Sequence, residues 1–152
     1  MAHLLRPADR ADEALPTMGR VLLGGLLGFA GVSHLTVARE EFHAQVPDWF
    51  PVDQDLVVVA SGVAEVVLGG ALALAPRKLR PTVGWLAAAF FVAIFPGNIA
   101  QYTERIDAFG LDTDQARFAR LFLQPVLVAW ALWSTGAWRA WREPRATARG
   151  EG

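Results

Sequence analysis

PTVGWLAAAFFVAIFPGNIAQYT, residues 81–103, contains no charged side chain. A surface helix of a water-soluble bundle keeps a polar stripe on its outward face, and this stretch has none. A bilayer core about 30 Å thick is crossed by roughly 20 apolar residues rising 1.5 Å each. Three further stretches read the same way: residues 21–38, 56–75 and 121–138. The chain has 14 basic and 15 acidic side chains, and only Glu65 falls inside the four stretches. In lipid every backbone N–H and C=O must be satisfied within the segment or in a closed barrel. Barrel strands alternate apolar and polar residues, and these runs do not. The reading is an all-α, integral-membrane four-helix bundle with spans at about 18–38, 56–75, 81–103 and 118–138.

The flanks are polar. An N-terminal segment, 1–17, precedes the bundle, and a basic tail, 139–152, follows it. Asp9, Asp12 and Glu13 interrupt the arginines before the first span, unlike the basic start of a signal peptide; an uncleaved anchor is expected. Arg6, Arg10, Arg20, Arg77, Lys78, Arg80, Arg139, Arg142, Arg145 and Arg149 fall on one side of the predicted membrane. Arg39, Arg105, Arg117 and Arg120 fall on the other. The excess of Lys and Arg places both termini in the cytoplasm and makes the chain a multi-pass protein of the cell (inner) membrane.

Bulk composition excludes several chemistries. A chain of 152 residues suits one domain. A net charge of −1 offers no basic surface for nucleic acid. With no cysteine there is no disulfide, thiolate nucleophile, iron–sulfur cluster or Cys-type zinc site. A bis-histidine haem needs two facing histidines within spans, and only His34 qualifies. No set of metal ligands at a recognisable spacing is present, so no metal is assigned.

The connection PRKLR at residues 76–80 is tight, which makes spans two and three antiparallel neighbours. The two connections on the opposite side are about seventeen residues each, long enough to carry function. The first contains VPDWFP, residues 46–51, where Trp49 and Phe50 suit an interfacial anchor or a lid. Trp130, Trp133, Trp138 and Trp141 read as an interfacial belt at the other end. Gly24 and Gly28, with Gly62, Gly69 and Gly70, mark close helix packing, or alternatively a homodimer face.

Polar groups inside spans are costly and need a partner or a task. Glu65 lies roughly 13 Å below the outer edge of span two at 1.5 Å per residue. His34 closes span one, while Asn98 and Gln101 share the last turns of span three. Arg117, Arg120 and Gln124 share one face of span four, and Ser61 sits one turn above Glu65. All of these are in the outer half. A carboxylate there takes up a proton or finds a cation, with Arg120 or Arg117 as candidate cations and Ser61, His34 or Asn98 as hydrogen-bond partners. Pro96 and Pro125 free the carbonyls of Val92 and Leu121 beside these residues.

GFAGVSHL at residues 28–35, VPDWFP, SGVAEVVLGGALAL at 61–74, the basic turn after Pro76 and FPGNIAQY at 95–102 together resemble DoxX-like membrane proteins. The resemblance spans residues 19–136, and its matched positions are His34, Glu65, Pro96 and Asn98. It implies a four-helix membrane bundle and a link to thiosulfate–quinone oxidoreduction, membrane redox complexes or the assembly of other membrane proteins. Two functional expectations follow. One is a quinone or similar amphipathic ligand held by His34, Glu65, Asn98, Gln101, Arg120 and Gln124, with Ser61, Pro96, Trp49 and Phe50 in support. Electrons would then come from a redox protein partner. The other is a non-enzymatic assembly role, with the polar layer as a clasp between helices.

Overall fold

The computed structural model describes the backbone of residues 7–147 and the side chains of residues 13–143. The outermost parts of both predicted flanks, 1–6 and 148–152, lie outside the described residues. Helices follow one another without strands among the described residues: α1 Pro7–Leu35, α2 Arg39–His43, α3 Gln54–Leu74, α4 Arg80–Ala93, α5 Phe95–Thr103, α6 Asp114–Ser134 and α7 Ala137–Thr147. Local chemistry sets several boundaries. The Asp53 carboxylate accepts from Leu56 N at 3.0 Å and starts α3. Thr113 Oγ1 accepts from Ala116 N at 3.2 Å and starts α6. Pro81 occupies the first turn of α4, and Pro96 that of α5, where a missing N–H costs nothing.

Among the described residues, three helical segments are long and apolar enough to cross a membrane: Glu13–Leu35, Gln54–Leu74 and Arg80–Thr103, with mean hydropathies of 1.4, 2.1 and 1.8. The third contains the α4–α5 break. A fourth candidate exists only if α6 and α7 count together, and they are bent by 64°. Gly136 makes that bend, at φ +71°, a left-handed conformation that glycine adopts without a Cβ clash. The straight fourth span expected through residue 138 is therefore corrected. Its helix ends at Ser134, and the supposed tail continues as a separate helix to Thr147. Span one also differs: α1 begins at Pro7, well before residue 18, and ends at Leu35, so 36–38 form a turn.

The four long segments assemble as two pairs, α1 with α3 and α4–α5 with α6. Glycines build the first pair. A Cβ on Gly24 would lie 2.6 Å from Gly69 O, and one on Gly31 would lie 2.6 Å from Gly62 O. Gly28 presents its backbone to Gly69, whose Cβ would lie 2.6 Å from Gly28 N, while Gly25 and Gly70 have open space where a Cβ would go. Spans two and three, expected as close neighbours, touch far less than α1 and α3 do. Their short connection fixes proximity at one end only, whereas glycine-to-glycine contact runs along the helices.

The two ends of the bundle differ. The end holding the short 75–79 connection, here the turn end, has a packed apolar core of Leu23, Leu27, Leu72, Val83, Ala87, Phe91 and Ala131. Arg20 is buried within it at 4% exposure, and its Nη1 donates to Leu72 O and to Ala73 O at 2.9 Å. These carbonyls belong to the last turn of α3, which has no amides of its own to offer them. Arg20 thus caps a helix, although its sequence position suggested only a surface charge. The other end, the loop end, carries both long connections. Outward faces are apolar throughout: Phe29, Val67, Leu74, Phe122 and Leu123 are all more than half exposed. Such a continuous apolar exterior exceeds what a water-soluble monomer exposes.

Candidate ligand-binding cavity

Between the two helix pairs at the loop end lies a cavity of about 900 Å³. Its floor is Leu23, Leu27, Phe91 and Leu127, the upper surface of the apolar core. Its walls bring together His34 of α1, Ser61 and Glu65 of α3, Pro96 and Asn98 of α5, and Arg120 and Gln124 of α6. Trp49 and Phe50 of the VPDWFP segment close its rim, and both are exposed on their other side. Of the residues expected at a site, Gln101 alone does not line the cavity.

His34 and Glu65 are the most buried charged-type groups on the cavity wall, at 7% and 4% exposure. Their meeting follows directly from the α1–α3 glycine contact. The two helices are antiparallel; Gly62 faces His34 Cβ and Gly31 faces Glu65 Cβ, so the two side chains cross at this contact, with Nδ1 2.7 Å from Oε2. Nδ1 also lies 3.0 Å from Ala30 O. Nδ1 thus stands between the Ala30 carbonyl and the Glu65 carboxylate, and Glu65 Oε2 is buried against it. Phe42, from α2, stacks on the imidazole and fixes its plane. Of the partners the sequence left open for Glu65, the structure places His34 against it, and neither Arg117 nor Arg120 forms an ion pair with it. Ser61 donates to Val58 O in its own helix, at 3.0 Å.

Arg117 serves the loop instead. Its guanidinium holds Asp107, Asp114 at 2.8 Å and Ile106 O at 3.3 Å. Arg120 reaches Gln45 Oε1 at 3.3 Å and sits 5.0 Å over the Phe109 ring. It is half-buried and has no carboxylate partner among the described residues. Phe109 has φ +57°, a strained conformation for a bulky residue. Three contacts hold it there: the Arg120 cation, the edge of Phe42, and Glu41, whose carboxylate accepts from Phe109 N at 2.6 Å. The two long connections are thereby locked to each other above the cavity.

The amides form closed pairs. Asn98 Nδ2 donates to Gln124 Oε1 at 2.9 Å, and Gln124 Nε2 donates to Phe91 O at 2.6 Å. The carbonyl that takes up this donor near the α4–α5 break is thus Phe91's, one residue before the expected Val92. Gln45 Nε2 donates to Gln101 Oε1 at 2.8 Å, and Gln101 Nε2 to Ala108 O at 3.3 Å. Gln101 is a brace behind the cavity. Sequence reading missed Phe42, Gln45 and Phe109. All three lie in or beside the long connections, where no helical period marks which side chains turn inward.

These features define a class: a small bundle of apolar helices enclosing, at one end, a lipophilic chamber with an acid, an imidazole and a guanidinium on its walls. The chain belongs to the family described as domain of unknown function DUF8561, whose model matches residues 23–135. That interval takes in every residue lining the cavity. No curated protein and no solved structure matches the chain.

Proposed function

We propose that the chain is a multi-pass protein of the cell membrane, with the loop end facing outward and both termini in the cytoplasm, and that its cavity binds an amphipathic ligand of the quinone type within a membrane redox system. The observation that carries this reading is the cavity itself: about 900 Å³ of mostly apolar wall that carries the Glu65 carboxylate, with His34 Nδ1 2.7 Å from its Oε2. A carboxylate can accept several hydrogen bonds, and a ligand hydroxyl would supply one beside the imidazole. His34 lies beside it on the same wall, and the half-buried Arg120 can donate to a carbonyl oxygen. The resemblance to DoxX-like proteins at His34, Glu65, Pro96 and Asn98 agrees with this proposal. A redox partner would supply the electrons.

The test is to purify the chain from membranes in mild detergent and analyse what is bound. A quinone or comparable head-group lipid is expected at near-stoichiometric amounts, falling about tenfold in Glu65→Gln, since a hydrogen bond to a charged group is worth about 1.5–3 kcal/mol. Absence of any such ligand from the unaltered protein would overturn the proposal.

A clasp reading also has specific support, in different residues. The Asn98–Gln124–Phe91 and Gln45–Gln101–Ala108 chains are internally satisfied and join α5 to α6 and the first connection to the second. We therefore divide the expected set: Asn98, Gln101 and Gln124 hold the frame, and His34, Glu65 and Arg120 face the ligand.

A further inference from the structure

A second concavity lies at the turn end, away from the polar chamber. It is an apolar groove of about 1050 Å³ along α6, walled by Pro125, Ala129, Leu132 and Trp133 and ending at Trp138 and Arg139. From Gln124 at its inner limit to the end of α6 at Ser134, it runs about 15 Å at 1.5 Å per residue. That is half of a bilayer core about 30 Å thick, the depth of one leaflet.

The groove's outer end is electropositive. The Arg139 guanidinium reaches to 4.0 Å from where a Cβ on Gly136 would be, so it lies back over the bend. Among the described residues no carboxylate forms an ion pair with it. The first hydrogen bond into α7 runs from Ala140 N to Gly136 O at 3.0 Å. The positive end of the α7 helix dipole therefore lies at this bend. The bend at Gly136 creates this arrangement, because a straight helix would carry Arg139 beyond the end of the groove.

We propose that this groove is a binding site for an anionic phospholipid of the leaflet at the turn end, with acyl chain along Pro125–Trp133 and phosphate on Arg139. The inference rests on the reading that the bundle spans a bilayer, but not on a ligand in the loop-end chamber. An apolar slot one leaflet deep with an unpaired cation at its mouth matches the shape and charge of such a lipid. Arg142, one turn further along α7 and exposed, does not line the groove.

Native mass spectrometry of the full chain tests this, after reconstitution with equimolar phosphatidylglycerol and phosphatidylcholine. The unaltered chain is expected to retain phosphatidylglycerol about fivefold over phosphatidylcholine, the effect of one basic residue at a membrane surface. Arg139→Gln should remove the preference and Arg142→Gln should keep it. Ala129→Phe, which fills the groove from an exposed position, should lower retention of phosphatidylglycerol. Equal retention of the two lipids by the unaltered chain, or equal loss of preference in the two arginine variants, overturns the proposal. Failure of the underlying membrane reading shows separately, as release of the chain from membranes by an alkaline wash. Glu65→Gln, which probes the chamber, tests that separate site and should leave the ratio of phosphatidylglycerol to phosphatidylcholine as it is.

Discussion

Gln124 donates to a backbone carbonyl and accepts from a side-chain amide at the same time, and both partners are buried with it. Gln124→Leu would strand Phe91 O and an Asn98 N–H. Each stranded buried group costs about 1–3 kcal/mol, so the variant should unfold in detergent with a loss of at least about 2 kcal/mol, measured by thermal or denaturant titration. Glu65→Gln is predicted to differ in kind. Glu65 faces His34 Nδ1 at 2.7 Å, and an amide there can still hydrogen-bond the imidazole, so the change should alter ligand retention far more than stability. The sequence made both residues visible for the same reason: a polar side chain within an apolar run stands out. It did not separate the brace from the ligand group. That distinction depends on which partner each side chain meets, and the partners Gln45, Phe42 and Phe109 lie in irregular connections where spacing gives no direction.

Among the elements, α1 and α3 form the most specific joint. Their backbones approach at Gly24–Gly69 and Gly31–Gly62, while Gly28 has open space at its missing Cβ. Gly31→Ala would drive a methyl to 2.6 Å from Gly62 O and 2.9 Å from Glu65 Cβ. Overpacking of this kind costs about 1–3 kcal/mol, and here it should also shift Glu65 and weaken ligand binding. Gly28→Ala should be neutral or slightly stabilising, because alanine has the higher helix propensity. Unfolding curves of the two variants side by side check the pair. The glycine content of spans one and two was plain in the sequence, and so was its meaning for packing. Which glycines touch was not, because that depends on the rotation of each helix about its own axis.

At the scale of the whole molecule, charge sorting and apolar length gave the architecture: long apolar helices, two long connections at one end, and a basic opposite end. The error lay in the fourth helix, where the apolar run hides a bend set by the single residue Gly136. The absence of cysteine makes the proposed orientation simple to test. Asp48→Cys in the first long connection and Lys78→Cys in the short turn each introduce one thiol. A membrane-impermeant maleimide applied to intact cells should label the first and not the second. The reverse pattern would invert the proposed topology, and labelling of both in sealed cells would argue against a spanning bundle.

The early end of α6 has a consequence for the surrounding lipid. The uncharged part of that helix, residues 121–134, covers only about 21 Å at 1.5 Å per residue, against a hydrocarbon thickness of about 30 Å. On that flank the bilayer would have to pinch inward, drawing head groups down toward Gly136 and Arg139, while the flank of α1 and α3 needs no such adjustment. Hydrophobic mismatch costs fractions of a kcal/mol per Å. A protein thinner on one side than the other would therefore collect shorter-chain lipids along α6 and favour neighbours that share the same thin edge.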